Sequence, residues 1–286
     1  MILAAMSDAI DFLLRAQNAD GGWGYRVGRM TYVEPTAAAM LALKNRDENA
    51  RHRARELLLR GQRADGGWGI AALDDESGWM TAWAVRALAD FKMNQIAIDK
   101  GALWLFKTSG ITLTEPKARA KIREWYRMDS ALRGWPWQVG DAAWVHPTAL
   151  ALLALAAAGY REHARFAEGV AYLRDRALDA GGWNIGNPQM LDKPLPATIQ
   201  DTAIALLALR AGDATKPDAA ITYLQNTLAR AQTAAELAWG IYALDAWSVR
   251  LSDARARLRA SQKSDGSWEG NPFTTAIATL TIGNLI

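Results

Sequence analysis

Two kinds of helical stretch alternate along the chain. The first kind is amphipathic. SDAIDFLLRAQ (7–17), ENARHRARELLLRGQ (48–62), AIDKGALWLFK (97–107), REHARFAEGVAYLRDR (161–176), PDAAITYLQNTLAR (217–230) and LSDARARLRASQ (251–262) repeat apolar residues at three and four, as in Ile10, Leu13 and Leu14, and keep one charged face. The second kind is apolar nearly all round: PTAAAMLAL from Pro35, MTAWAVRAL from Met80, PTALALLAL from Pro147, DTAIALLAL from Asp201, AAELAWGIYAL from Ala234 and FTTAIATLTI from Phe273. Helices of the first kind have one wet side, and those of the second are buried on every side. The inner starts, from Thr36 to Thr275, lie about 48 residues apart on average, a normal size for a helical-pair repeat.

Strand patterns are absent, so the chain is expected to be all-α. Six buried and six half-buried helices predict two concentric rings, a closed (α/α)6 barrel, or toroid, of six helical hairpins. An open stack would expose the apolar helices of its end repeats, and no polar capping repeat is present. The whole of 1–286 reads as one domain. The largest departure from regular spacing is an insertion or lid at about 109–143.

Between the two kinds of helix stands a recurring turn. It reads AQNADGGWGYR at 16–26, GQRADGGWGIA at 61–71 and SQKSDGSWEGN at 261–271. GWPWQVG from Gly134 and AGGWNIG from Ala180 are variants, and the fifth repeat lacks the turn between Arg230 and Thr233. Gly-Gly ends the outer helix and permits positive φ. The Asp is expected to bond turn backbone. The Gln is expected to reach unpaired amides at a neighbouring helix start, with the Trp packed over it.

These turns, Q-x-x-D-G-G-W-G at Gln17–Gly24 and Gln62–Gly69 with a weaker copy at Gln262–Trp268, resemble the QW repeat of the squalene–hopene cyclase and protein prenyltransferase β-subunit superfamily. The T-A-x-A-L inner helices are similar to that family too, over nearly the whole chain. The resemblance implies the toroid fold. Its two-barrel cyclases are longer than this chain, whose size matches the single-barrel prenyltransferase β-subunits.

The chemistry the resemblance implies is only partly present. A zinc prenyltransferase uses an Asp, a Cys and a His at inner helix starts. Asp201 matches the Asp, but Ala203 stands in the Cys position and the chain has no cysteine. His52 and His163 lie on outer helices, and His146 alone sits at an inner start, so no zinc site is expected. A class II terpene cyclase uses D-x-D-D-T-A, with the middle Asp of the trio as proton donor. Here the stretch is Thr198-Ile199-Gln200-Asp201-Thr202-Ala203, and Gln200 replaces the donor.

Another acid holds that register in a different repeat. Glu34-Pro35-Thr36-Ala37 and His146-Pro147-Thr148-Ala149 align with Gln200-Asp201-Thr202-Ala203. In a closed barrel Glu34, His146, Gln200 and Asp201 would ring one mouth, and a poorly solvated carboxyl there would act as an acid. Glu34, Asp201 and His146 are therefore the candidate catalytic residues. The plainer reading makes them helix-start residues suited to caps and the helix dipole. Glu is not a favoured cap, which leaves Glu34 the less easily dismissed. Tyr32, Trp79, Trp83, Trp144, Trp239 and Tyr242 lie at or near inner starts or on inner helices. They are candidate substrate contacts whose π faces would stabilise carbocations, or else filling for a wide core.

Composition narrows the partners. The net charge of +3, from 33 basic and 30 acidic side chains, is too small to argue for nucleic acid, and the chain has no dense basic block, so no nucleic-acid partner is expected. MILAAMSDAIDFLL acquires Asp8 and Asp11 too early for a secretory leader, and the apolar run at 148–159 is too short to cross a bilayer. A cytoplasmic location, soluble or peripheral to a membrane, is the expectation. The insertion sequence TEPKARAKIREWYRMDSALRG interleaves cations with Trp125 and Tyr126. It could lie on an anionic membrane, bind a diphosphate, cover the mouth, or be a solvated helix with paired charges. No cofactor is expected, except magnesium if the substrate is a diphosphate. Asp74-Asp75-Glu76 could hold that ion, or be a polar loop.

Three functions follow. The first is a terpene cyclase-like or prenyltransferase-like protein that acts on or binds an isoprenoid or similar apolar molecule. It would lack the usual acid trio and zinc ligands, and a partner subunit would complete it if it followed the prenyltransferases. The second is a non-catalytic relative that binds lipid or protein. The third is a carbohydrate-active enzyme, with Glu34 facing Asp141 or Asp201 across a cleft.

Overall fold

Each Trp turn is a latch built from the same bonds. In the first, the indole N–H of Trp23 donates to Leu13 O at 2.7 Å and its backbone N–H donates to Thr36 Oγ1 at 3.0 Å. Trp68 repeats this with Leu58 O and Thr81, Trp135 with Leu105 O and Thr148, Trp183 with Leu173 O and Thr202, and Trp268 with Leu258 O and Thr275. All five Trp side chains are fully buried. The T-A phrase follows these turns because the Thr hydroxyl satisfies a Trp N–H that no water reaches.

The Gln of the turn acts differently from the sequence expectation. Gln17 Nε2 donates to Gly21 O and Ala50 O, Gln62 Nε2 to Gly66 O and Ala97 O, and Gln262 Nε2 to Gly266 O and Ala5 O. Its partners are carbonyls, not amides. Ala50, Ala97 and Ala5 lie near the starts of the next outer helices, so the amide clips the turn to its neighbour. Gly21 has φ +98°, and a Cβ there would stand 2.8 Å from Arg53 O, so positive φ and close approach both require glycine.

The computed structural model describes residues 2–91, 94–212 and 215–283. The inner helices are α2 (Val33–Ala42), α4 (Met80–Ala89), α7 (Val145–Ala157), α9 (Ile199–Gly212), α11 (Ala234–Ala246) and α13 (Pro272–Gly283). Each packs against the next in that order, and α13 packs against α2, so the ring is closed. The outer helices are α1 (Ile2–Ala16), α3 (Glu48–Arg60), α5 (Gln95–Lys107), α8 (Ala164–Asp175), α10 (Asp218–Leu228) and α12 (Ser252–Ala260). The fold is an all-α toroid.

The packed pairs are α2 with α3, α4 with α5, α7 with α8, α9 with α10 and α11 with α12. The outer helices α3, α5 and α12 thus pack mainly on the inner helix before them, whereas α8 also packs on α9 and α10 also on α11, so each of these two bridges neighbouring inner helices. The remaining outer helix, α1, packs on α13, which ties the beginning of the ring to its end. In the fifth repeat a capping box replaces the Trp turn: Thr233 Oγ1 accepts from Glu236 N, and Glu236 Oε2 accepts from Thr233 N, both at 3.1 Å.

The 109–143 segment carries α6 (Pro116–Tyr126), which has no buried residue. Glu115 caps it through Lys117 N and Ala118 N. Its far end is held by Gln189, which donates to Glu124 O and Trp125 O. Gln189 belongs to β1 (Gln189–Met190), paired antiparallel with β2 (Lys193–Pro194). Arg119 and Arg123 pair with Asp129, which makes α6 in part the solvated, charge-paired helix. The base of the segment is fixed by buried Arg165. Its guanidinium lies 3.6 Å from the Trp135 ring centroid and donates to the carbonyls of Thr108, Arg133 and Gly134.

Candidate active site

The topology starts all six inner helices at one rim. Two residues before the latch Thr, each presents a side chain there: Glu34, Trp79, His146, Gln200 and Phe273, with Ala235 in the fifth repeat. A second set hangs over from the turns. The residue two places after the latch Trp is Tyr25 in the first turn and Trp137 in the third.

Glu34 is buried, 7% exposed, at the start of α2. The Tyr25 hydroxyl donates a short hydrogen bond to Glu34 Oε2. The indole N–H of Trp83 also faces this carboxyl, stops short of good hydrogen-bond geometry and has no other partner. Burial outweighs both N–H and O–H donors and raises the Glu34 pKa from 4.5 to about 7. The same burial, reinforced by the Glu34 charge, pushes the Tyr25 phenol far up, so it stays a donor. Tyr32 lies 5.1 Å from Tyr25, and Phe273 lies 6.1 Å from Tyr25 and 5.9 Å from Trp83. Trp239 lies 6.4 Å from Trp83. A carboxyl that is about half protonated at neutral pH therefore sits beside Tyr25 and Trp83, in an aromatic cluster that Tyr32, Phe273 and Trp239 extend.

A second cluster forms where α7 and α9 start. His146 stacks on Trp137 at 5.3 Å and meets Trp79 edge-on at 6.0 Å, and Trp79 meets Trp137 at 4.6 Å. Burial lowers the His146 pKa to about 4. Its Nδ1 lies 3.9 Å from Asp201 Oδ1, too far for a hydrogen bond. With a neutral imidazole this near contact is not an ion pair. Asp201 Oδ2 accepts from Thr198 Oγ1 at 2.8 Å, and burial raises its pKa against that bond. Gln200, beside Asp201 at the start of α9, is exposed.

Other candidates fall elsewhere. Trp144 lines a hollow of about 230 Å³ with Ile111, Leu113, Ile122 and Met128, on the α6 side of the ring and away from Glu34. Tyr32 touches Tyr25 but also lines a larger hollow of about 660 Å³ between the 29–33 and 61–74 stretches, outside the ring. That hollow holds none of Glu34, His146 or Asp201, and the chemistry makes the mouth the better candidate site. Tyr242 lies one turn further along α11 than Trp239 and is half-buried. Asp74 turns its carboxylate onto Ile70 N and Glu76 N, while Asp75 and Glu76 are exposed, so the acidic stretch is a self-capped polar loop. Asp141 is exposed.

Tyr25, Trp137 and Phe273 were not among the sequence candidates. Phe273 shares the register of Glu34, and Tyr25 and Trp137 share the slot after the turn Trp. Alignment of the repeats held the signal for all three. Among the described residues no group of His, Asp and Glu side chains converges as metal ligands, and no helix is long and apolar enough to cross a membrane.

No protein-family model matches the chain, and no curated protein is similar to it. Solved structures are similar in fold. A protein from Actinoplanes shares 19% identity over 99% of both chains, with a TM-score of 0.66. The type II terpene cyclase MstE from Scytonema, in complex with geranylgeranyl dihydroxybenzoate, shares 18% identity over 98% of this chain and 96% of its own, with a TM-score of 0.68. An α-1,6-mannanase from Salegentibacter, in complex with α-1,6-mannotriose, shares 9% over 99% and 98%, with a TM-score of 0.63. The common ground is the α/α toroid, which serves both terpene and carbohydrate chemistry.

Proposed function

We propose that this chain is a terpene cyclase-like enzyme in which Glu34 is the acid. The observation that carries the reading is a buried carboxyl, with a pKa raised to about 7, beside Tyr25 and Trp83 in an aromatic cluster that Tyr32, Phe273 and Trp239 extend. A protonated Glu34 gives its proton to an alkene carbon or an epoxide oxygen of a bound isoprenoid. The positive charge left on carbon draws the next double bond into a ring, and the aromatic faces stabilise it. Neutral His146 accepts the proton that leaves carbon at the end, its electron pair forming the new double bond. Exchange with solvent then restores both groups, and the net change is an isomerisation.

Such a reaction needs no cofactor, and magnesium enters only if the substrate carries a diphosphate. The likeness to MstE, which binds a geranylgeranyl compound, supports an apolar isoprenoid substrate. Contact with an anionic membrane belongs to the same reading, carried by exposed Ile111, Leu113 and Trp125 beside Lys117 and Lys121. A second reading, binding without turnover, is favoured by the meeting of Trp83 with Trp239 and Phe273, which fills part of the barrel.

A product screen by mass spectrometry separates the two. Squalene, its epoxide and the prenyl diphosphates from geranyl to geranylgeranyl are incubated with the protein, with and without magnesium. The expected result is a cyclic product that disappears in Glu34→Gln. Turnover that persists in Glu34→Gln overturns the role of that residue, and saturable binding with no product supports the second reading.

A further inference from the structure

The inner ring has a second inward layer, on the other side of the Trp83–Trp239 pair. Those two residues sit on α4 and α11, which are opposite each other in the ring, and their rings approach to 6.4 Å across it. One helical turn further from the Glu34 rim, the same inward register holds Leu41, Arg86, Leu153, Leu207, Tyr242 and Leu280. Four of them, Leu41, Leu153, Tyr242 and Leu280, pack on the core while remaining only partly buried, and Leu207 is 8% exposed. Solvent therefore reaches this layer from the end where the inner helices finish.

Arg86 is the anomaly. It is the one charged residue of an otherwise apolar layer, and it is half-buried. The fully buried arginines are each bonded: Arg51 to Asp90 and Glu48, Arg55 to Glu56, Arg165 to three carbonyls, Arg176 to Asp175 and Arg255 to Asp245. Among the described residues Arg86 has no carboxylate or carbonyl partner. A guanidinium with five donors, in a register that otherwise holds leucines and a tyrosine and with none of its donors satisfied by the described residues, matches an oxyanion whose remaining body is apolar. The Tyr242 hydroxyl, across the ring on α11, also has no partner among the described residues.

From this we infer that the barrel has a second binding site, at the end away from Glu34, for a small amphiphile with an oxyanion head and an apolar chain. The head, carboxylate or phosphate, is held by Arg86 and Tyr242. The chain lies on Leu41, Leu153, Leu207 and Leu280 and abuts the Trp83–Trp239 pair. The site does not depend on the acid chemistry of the other end.

The test is tryptophan fluorescence titration of the whole protein with decanoate, decyl phosphate, decanol and inorganic phosphate, beside Arg86→Leu, Arg86→Lys and Glu34→Gln. In the natural protein one or both anionic amphiphiles bind roughly tenfold or more tighter than decanol, the scale of a charge-assisted hydrogen bond. Whichever head binds better names the source. Arg86→Leu erases the difference to within about twofold and keeps decanol binding, Arg86→Lys retains part of it, and Glu34→Gln leaves it unchanged. Leucine already fills the register in four repeats, and far-ultraviolet circular dichroism confirms that the variant folds. Equal binding of acid and alcohol, a preference that survives in Arg86→Leu, or equal binding of inorganic phosphate overturns the site.

Discussion

Tyr25 donates its phenolic hydrogen to Glu34 Oε2, from a loop that precedes the helix carrying the carboxyl. This bond opposes the burial that raises the Glu34 pKa. Tyr25→Phe removes the donor and leaves the burial, so the Glu34 pKa rises further above its value of about 7. Infrared difference titration of the carboxyl band, with Glu34→Gln as the blank, measures it. A fall would mean that water enters the space the hydroxyl left.

The Thr–Trp latch makes a stability prediction. Thr36→Val keeps the shape but leaves the buried Trp23 N–H without its 3.0 Å acceptor. An unsatisfied buried donor costs about 1–3 kcal/mol. Urea unfolding should show that loss at Thr36, and a similar one for Thr81→Val, which strands Trp68 N in the same way.

The repeat architecture was legible because burial imprints itself on composition. An inner helix surrounded by protein must be apolar all round, and the six Ala- and Leu-rich runs are. The turn phrase was legible because four bonds, two from the Trp and two from the Gln, converge there in the first, second and last turns. The pairing of outer with inner helices was not, since a one-sided apolar stripe says that Leu58 or Leu173 is buried without saying against which neighbour. The site was half legible. Glu34 and His146 stand two residues before the latch Thr and Asp201 one before it, which brought all three to one rim. Trp144 sits just ahead of that register and points out toward α6. The contact of Trp83 with Trp239 joins residues far apart in sequence, and only ring closure creates it.

Two glycines separate steric strain from backbone strain. Gly66 has φ +94°, and a Cβ there would lie 2.6 Å from Lys100 O; Gly28 has φ +69° with nothing within 4 Å. Gly28→Ala should cost about 1 kcal/mol, the left-handed penalty alone. Gly66→Ala adds a clash with helix backbone that cannot swing away, so its loss should be clearly larger, roughly 3 kcal/mol or more. Thermal melts of the two variants decide this, and equal losses would show that α5 yields at its first turns.

The pH dependence of stability sets the two buried clusters against each other. Glu34 has a folded pKa of about 7 against 4.5 for the free group. Between those values the folded state binds more protons than the unfolded state, so its contribution falls as pH rises, by roughly 3 kcal/mol in all. Asp201, also raised by burial, acts in the same direction. His146 has a folded pKa of about 4 against 6.5 for the free group. In that window the unfolded state binds more protons, so its contribution grows as pH rises, by a similar amount. From about pH 4.5 to 6.5 the two slopes oppose each other, and the stability of the natural protein should change little there on account of these groups. Each replacement should expose the other. His146→Phe, which keeps a ring against Trp137, should lose stability steadily from pH 4.5 to 7. Glu34→Gln should gain stability from pH 4 to 6.5, less whatever Asp201 takes back. Chemical denaturation at half-unit steps of pH measures both slopes. Parallel pH profiles in the two variants would mean that neither group is held in the protonation state its burial dictates.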